Sequence, residues 1–241
     1  VEEIAHLYRV TTPQEVASGL VGYWSFNGKD TKWTSSSAGT VTDLSGKGNT
    51  GTLTSMSQST SPTPGKIGQA LKFDGSTNYI DIPASGSLSL GTSMTVSIWF
   101  NRQATTANQA LVTSNKYYTA GFNGNWLLRV TSGSALAFAS YDGQSNEEWK
   151  EFAFTINNNV WNHAVVSING TTATMYLNGV ASVSGTLNHT KALINAGVSG
   201  MRIGDDLAWA NVFFNGSIDD VRMYNRALSA DEVAAFYNAG R

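Results

Sequence analysis

The sequence predicts an all-β protein, two antiparallel sheets packed as a sandwich and closed by one short C-terminal helix. Three observations carry that expectation. Charged residues are 13% of the chain, against about 25% in an average soluble domain, while glycine occurs 24 times and aromatics reach 11%. Such a balance suits many short strands joined by tight turns. Apolar residues alternate with period two along much of the chain, as in strands with one buried face. Asn-Gly pairs end two of these runs, where they supply the positive backbone angles of a hairpin turn.

Taken in order, Val1 to Arg9 read as a helical tail. Glu3 to Arg9 align without a gap on Glu232 to Asn238, with identical Glu, Ala and Tyr. This echo suggests the last helix of a preceding repeat, and an ordinary amphipathic helix is the plainer reading. Val10 to Ser18, with Pro13, reads as a linker, so residues 1–18 form helix and linker and residues 19–241 the domain. Leu20, Gly22, Trp24 and Phe26 share one face of a first strand. Val96, Ile98 and Phe100 follow, then Trp126, Leu128 and Val130, then Phe152, Phe154 and Ile156. Val166 and Ile168, with Ala173, Met175 and Leu177, make a meander from Trp161 to Gly179 that turns at Asn169-Gly170 and Asn178-Gly179. Gly28 to Thr42, Ser55 to Gly65, Asn101 to Asn125 and Tyr141 to Lys150 show no periodicity and read as loops. Ile218 to Tyr224 alternates as a last strand, and Ser229 and Glu232 have the spacing of a capping box. The helix it opens carries Val233, Phe236 and Tyr237 on one stripe and stops near Gly240.

Composition excludes several classes. A net charge of −2 with no basic stripe leaves nucleic acid without an electrostatic footprint. Cysteine is absent, which rules out disulfides and thiolate metal sites. No apolar run is long enough to span a bilayer, so membrane insertion is not expected. Catalysis has little support. His6, His163 and His189 lack metal spacing. Glu147, Glu148 and Glu151 form the nearest acidic cluster, which reads as a solvated face.

Two features suggest a bound cation. Asp43 and Asn49 bracket a glycine-rich bend that can turn carbonyls inward, and calcium takes six to eight oxygens. Asp219 alternates onto the face of Val221 and Met223, where an unpaired carboxylate would be costly in a core. The alternative is that Asp43 and Asn49 make turn hydrogen bonds and Asp219 a surface contact. Asp74-Gly75 reads as a structural turn, and Asp220 with Arg222 as an ion pair on the face opposite Asp219. For a sugar, stacking faces would come from Trp149, Trp209, Tyr117 and Trp126, with Trp33 and Tyr118 as further candidates beside loops.

The phrases LVGYWSF, DLSGKGNTG, GKIGQALKFDGSTNYIDIP, TVSIWF, WNHAVVSI, MYLNG and GSIDDVRMYNRALSADEV resemble the laminin G-like jelly-roll family of the concanavalin A-like superfamily, from Leu20 to Asn238. That resemblance implies a jelly-roll sandwich without enzymatic activity, found in secreted and surface proteins, often in tandem. It also implies one structural calcium ion, with Asp43, Asn49 and Asp219 at the matching positions. Glycosidases on this fold carry a Glu-x-Asp-x-Glu strand phrase that this sequence lacks. Tyr141 to Lys150 and His189 to Gly200 are longer than the family phrases. The expectation is a binding module of an extracellular or bacterial cell-surface protein, for glycan or a protein partner. Its rival is a spacer bead in a stalk, touching neighbouring repeats of the same chain.

Overall fold

A computed structural model of the chain describes residues 17–103, 107–114, 125–141, 147–152, 154–182, 185–186, 200–206 and 212–240. The expected helical tail at Val1 to Arg9 lies outside them. The first strands are β1 (Leu20–Trp24), β2 (Thr31–Trp33), β3 (Gly39–Val41), β4 (Gly51–Thr54), β5 (Pro62–Pro64), β6 (Gln69–Asp74) and β7 (Tyr79–Ile82). There follow β8 (Ser93–Arg102), β9 (Gln109–Ser114), β10 (Asn125–Val130), β11 (Leu136–Tyr141), β12 (Glu147–Phe152) and β13 (Trp161–Asn169). The chain closes with β14 (Thr172–Leu177), β15 (Val180–Ala181), β16 (Gly185–Thr186), β17 (Met201–Ile203), β18 (Asn215–Tyr224) and helix α1 (Ala230–Ala239). The first sheet runs β15-β14-β13-β8-β18-β6-β5, with β1 also on β18 and β16 on β14. The second runs β12-β11-β10-β9-β17-β7-β4-β3-β2, and the pairs given for both are antiparallel. Among the described residues no helix is long and apolar enough to cross a membrane.

The core lies between the sheets and takes the inward positions of both, including Trp24, Phe73, Ile80, Phe100, Leu128, Phe138 and Val166. Side chains of this kind stabilise by about 1.5–3 kcal/mol each when fully buried. A second apolar layer sits on the outer face of the first sheet, where Val233 and Phe236 of α1 cover Val165, Tyr176 and Tyr224. The capping box forms as the spacing predicts: Ser229 Oγ accepts from Glu232 N, and Glu232 Oε2 accepts from Ser229 N at 2.8 Å. Both hairpin turns form as well. Asn178 and Gly179 have φ of 53° and 78°, as a two-residue turn of the primed type requires.

Several expectations need correction. Leu20 does not share a face with Trp24, because a register shift between Leu20 and Gly22 turns Leu20 toward the helix layer. Gly22 stays glycine because a Cβ there would come within 2.5 Å of the Trp24 ring. The segments read as loops contain β2, β3, β5 and β9, and Glu147 to Lys150 belong to β12. Strands of three residues are too short to show a period. β9 is buried at every position, so it cannot alternate.

Candidate functional site

Asp43 and Asn49 close a clasp on β1. The Asp43 carboxylate accepts from Tyr23 N (3.0 Å), Ser45 N (2.9 Å), Ser45 Oγ (2.8 Å) and Asn49 N (2.9 Å). Asn49 Nδ2 donates to Val21 O at 2.7 Å, and Asn49 O accepts from Trp24 Nε1 at 2.9 Å. Four donors aimed at one carboxylate make a turn that is complete without a cation.

Asp219 lies elsewhere. It pairs with Trp99 while Arg222 pairs with Ser97, so three steps on β18 match two on β8. The extra residue is a bulge, with Asp220 at φ 45°. It turns Asp219 away from the face of Val221 and Met223, onto the outer face of the sheet, and brings Asp220 and Arg222 to that face too. Asp219 Oδ2 accepts from Ile67 N at 2.8 Å, and Gly65 packs so close that a Cβ would stand 2.6 Å from that oxygen. Oδ1 is buried with no hydrogen-bond partner. Burial, reinforced by the neighbouring Asp220 charge and opposed by the Ile67 amide, pushes the carboxyl up to about 7. Among the described residues no hydrogen bond joins Asp219 to Asp43 or Asn49: Asp43 gives both oxygens to the clasp on β1, and Asp219 gives one to Ile67 N, so the three residues sit in separate networks.

Around Asp219 the outer face is a packed layer. Arg222 meets Asp220 at 2.6 Å and lies over the Tyr23 ring, and Tyr23 Oη donates to Asp220 at 3.1 Å. His163 stacks on Trp99 at 4.7 Å, contacts Ser97 Oγ through Nε2 at 2.8 Å, and is pushed down to about 3 by burial, so it is neutral. Tyr237 of α1 also stacks on Trp99, at 5.7 Å. Asp74 holds its turn by accepting from Ser76 N, Thr77 N, Thr77 Oγ1 and Asn78 N, as read from the sequence.

The aromatic candidates divide. Trp126 is a correction: it is fully buried and stacked with Phe138, hence core. Trp149 pairs with Ala139 in β12, an edge strand of the second sheet. Tyr117, Tyr118 and Trp209 lie outside the described residues. Trp33 is half-buried and lines a groove of about 200 Å³ where the two sheets end, β2 on one side and β5 on the other. Thr31 and Trp33 face inward from β2; Pro62, Gln69 and Leu71 come from β5 and β6, with Phe26, Gly28 and Gln58 from the connections.

The groove is neutral and has hydrogen-bonding capacity to spare. Thr31 is 7% exposed, and its Oγ1 has no partner. Gln69 Oε1 accepts from Gly28 N at 2.6 Å, and a Cβ at Gly28 would stand 2.7 Å from the same oxygen and make the glutamine shift. Among the described residues the Gln69 Nε2 and the Gln58 carboxamide keep no protein partner. Sequence reasoning missed Thr31, Gln58 and Gln69. The nearest signal was Trp33 in a Ser/Thr-rich stretch, flanked at a distance by the Pro62 and Pro64 that end an edge strand.

Residues 74–234, more than half of the chain, match the Laminin_G_3 family model, described as concanavalin A-like lectin/glucanases superfamily. The groove residues, from Phe26 to Leu71, precede that match. Among solved structures, the binding domain of Paraclostridial mosquitocidal protein 1 aligns with a TM-score of 0.70 at 18% identity, over 93% of this chain and 53% of that one. Domain 4 of AbnA, a GH43 extracellular arabinanase from Geobacillus stearothermophilus in complex with arabinotriose, aligns at 0.64 and 21% identity, over 89% and 96%. A botulinum neurotoxin type C structure, whose cell entry depends on two ganglioside molecules, aligns at 0.66 and 12%, over 95% and 53%. The chain spans about half the length of the toxin structures it matches. At these identities the likeness shows the fold. A comparison with curated proteins finds no match.

Proposed function

Because this chain belongs to the Laminin_G_3 family of concanavalin A-like domains, we propose that it is a non-catalytic recognition module of an extracellular protein, that its ligand is carbohydrate, and that the groove between β2 and β5 receives it. One observation carries the proposal: Trp33 stands beside unpartnered hydroxyl and carboxamide groups at an open end of the core. Sugar sites need such a pairing, an apolar face for the ring and a few polar groups for its hydroxyls. The fold neighbours support the class, since one was solved with arabinotriose and another concerns gangliosides. A glycan array probed with the wild type and with Trp33→Ala tests it. Binding that the variant loses supports the proposal. An array on which the wild type binds nothing would leave the spacer reading in its place.

A further inference from the structure

We infer that the groove takes one neutral sugar ring, an inference that rests on the carbohydrate reading above. Size comes first. Sites for drug-sized ligands run from about 300 to 1,000 Å³, whereas this one holds about 200 Å³. It encloses one ring, and the rest of a longer chain would lie outside it.

Charge comes second. None of the groove-lining residues is charged. A uronic or sialic acid would bring a carboxylate next to Phe26, Leu71 and Trp33 with no cation among the lining residues to receive it, and an unpaired charge against apolar surface is strongly disfavoured. A neutral ring offers only hydroxyls, each both donor and acceptor. The polar groups present match that inventory: the Thr31 hydroxyl gives or takes a proton, the Gln58 carboxamide does both, and Gln69 Nε2 donates.

Thr31 makes the inference specific. Its hydroxyl is buried and unsatisfied in the free protein, a state that costs stability and that a ligand hydroxyl would relieve once the side chain turns it into the groove. In a purely structural rim, valine of the same shape would serve better. Thr31→Val therefore separates the two readings: it should hold or raise the melting temperature in either case, and weaken binding only if the hydroxyl meets a ligand.

The experiment is a titration of the 241-residue chain, by ligand-observed NMR and tryptophan fluorescence, with methyl glycosides of neutral pentoses and hexoses and of glucuronic and sialic acid. At least one neutral glycoside should saturate with Kd of about a millimolar, and the acidic ones should bind at least about tenfold more weakly. Thr31→Val should weaken the neutral ligand about fivefold, and Trp33→Ala about 30-fold or more. Trp33-dependent binding that prefers the acidic glycosides would overturn neutrality and leave the groove standing. A wild type that binds array polysaccharides but saturates with no monosaccharide would overturn the single ring while carbohydrate recognition survives. Neutral binding indifferent to both substitutions would move the site elsewhere. Silence in both array and titration would remove the carbohydrate reading and this inference together.

Discussion

The outer face beneath α1 and the groove at the β2/β5 edge are both polar interruptions of an apolar protein, and they solve the problem in opposite ways. Beneath the helix most groups pair within the chain and are closed off from solvent: Arg222 with Asp220 and Tyr23, His163 with Ser97, and the Trp99 ring stacked with both His163 and Tyr237. Asp219 Oδ1, His163 Nδ1 and Tyr224 Oη stay buried there without a partner. At the groove the groups are neutral, and the Gln58 and Gln69 carboxamides stand open to solvent. A polar layer closed beneath a helix holds the fold, whereas one that opens at a rim is within reach of something that is not part of the chain.

Substitutions should divide along the same line. The largest effect is expected from Arg222→Ala, which leaves Asp220 buried without its cation. Breaking a buried pair in this way costs about 3–5 kcal/mol, and at about 2–4 °C per kcal/mol for a domain of this size the melting temperature should fall by roughly 6–20 °C. Sugar binding by the protein that remains folded should be unchanged. A loss of binding without a loss of stability would merge the two regions into one.

Next comes Asp219→Asn, read against pH. An acid whose folded pKa is about 7 and whose unfolded value is 3.8 contributes its full stability below 3.8 and loses it as pH rises through 7. Each pKa unit corresponds to about 1.4 kcal/mol. The amide should therefore stabilise by up to about 4 kcal/mol at pH 8 and by little at pH 4, which paired thermal melts would measure. A gain independent of pH would mean that Asp219 is not titrating in the fold.

Thr31→Val should change stability by less than about 1 kcal/mol, in the stabilising direction, with its consequence confined to ligand titration. The smallest effect is expected from chelation. With the Asp43 oxygens already receiving four donors, a calcium chelator should leave the melting curve within experimental error. A drop of several degrees, reversed by calcium, would show that Asp43 or Asp219 holds an ion.

The sandwich was legible in the residues because alternation, capping and Asn-Gly turns are local signals. Ser229 and Glu232 sit three apart, and Asn178 sits next to Gly179. The bulge was not legible. Nothing in the run Ile218 to Tyr224 announces that Asp220 adopts a positive φ, and that single residue moved Asp219 from the expected core face to the outer one. The groove was illegible for another reason. Thr31, Gln58 and Gln69 come from three separate segments that become neighbours only because β2 and β5 each end a sheet at the same flank of the sandwich. Trp126 misled because an aromatic beside a loop in sequence can still point inward in a strand.

The pairing of β1 with β18 sets a timetable. Arg226 Nε reaches back 208 positions to donate to the Ser18 carbonyl at 2.8 Å, and Leu20 pairs with Tyr224. A ribosome adding about 5–20 residues per second needs roughly 10–40 s to make the partner that β1 requires. Throughout that interval Val21 and Trp24 are finished but have no sheet to join. The first strand of the sandwich is among the last to be placed, and its apolar residues must stay out of reach of other chains until β18 has emerged.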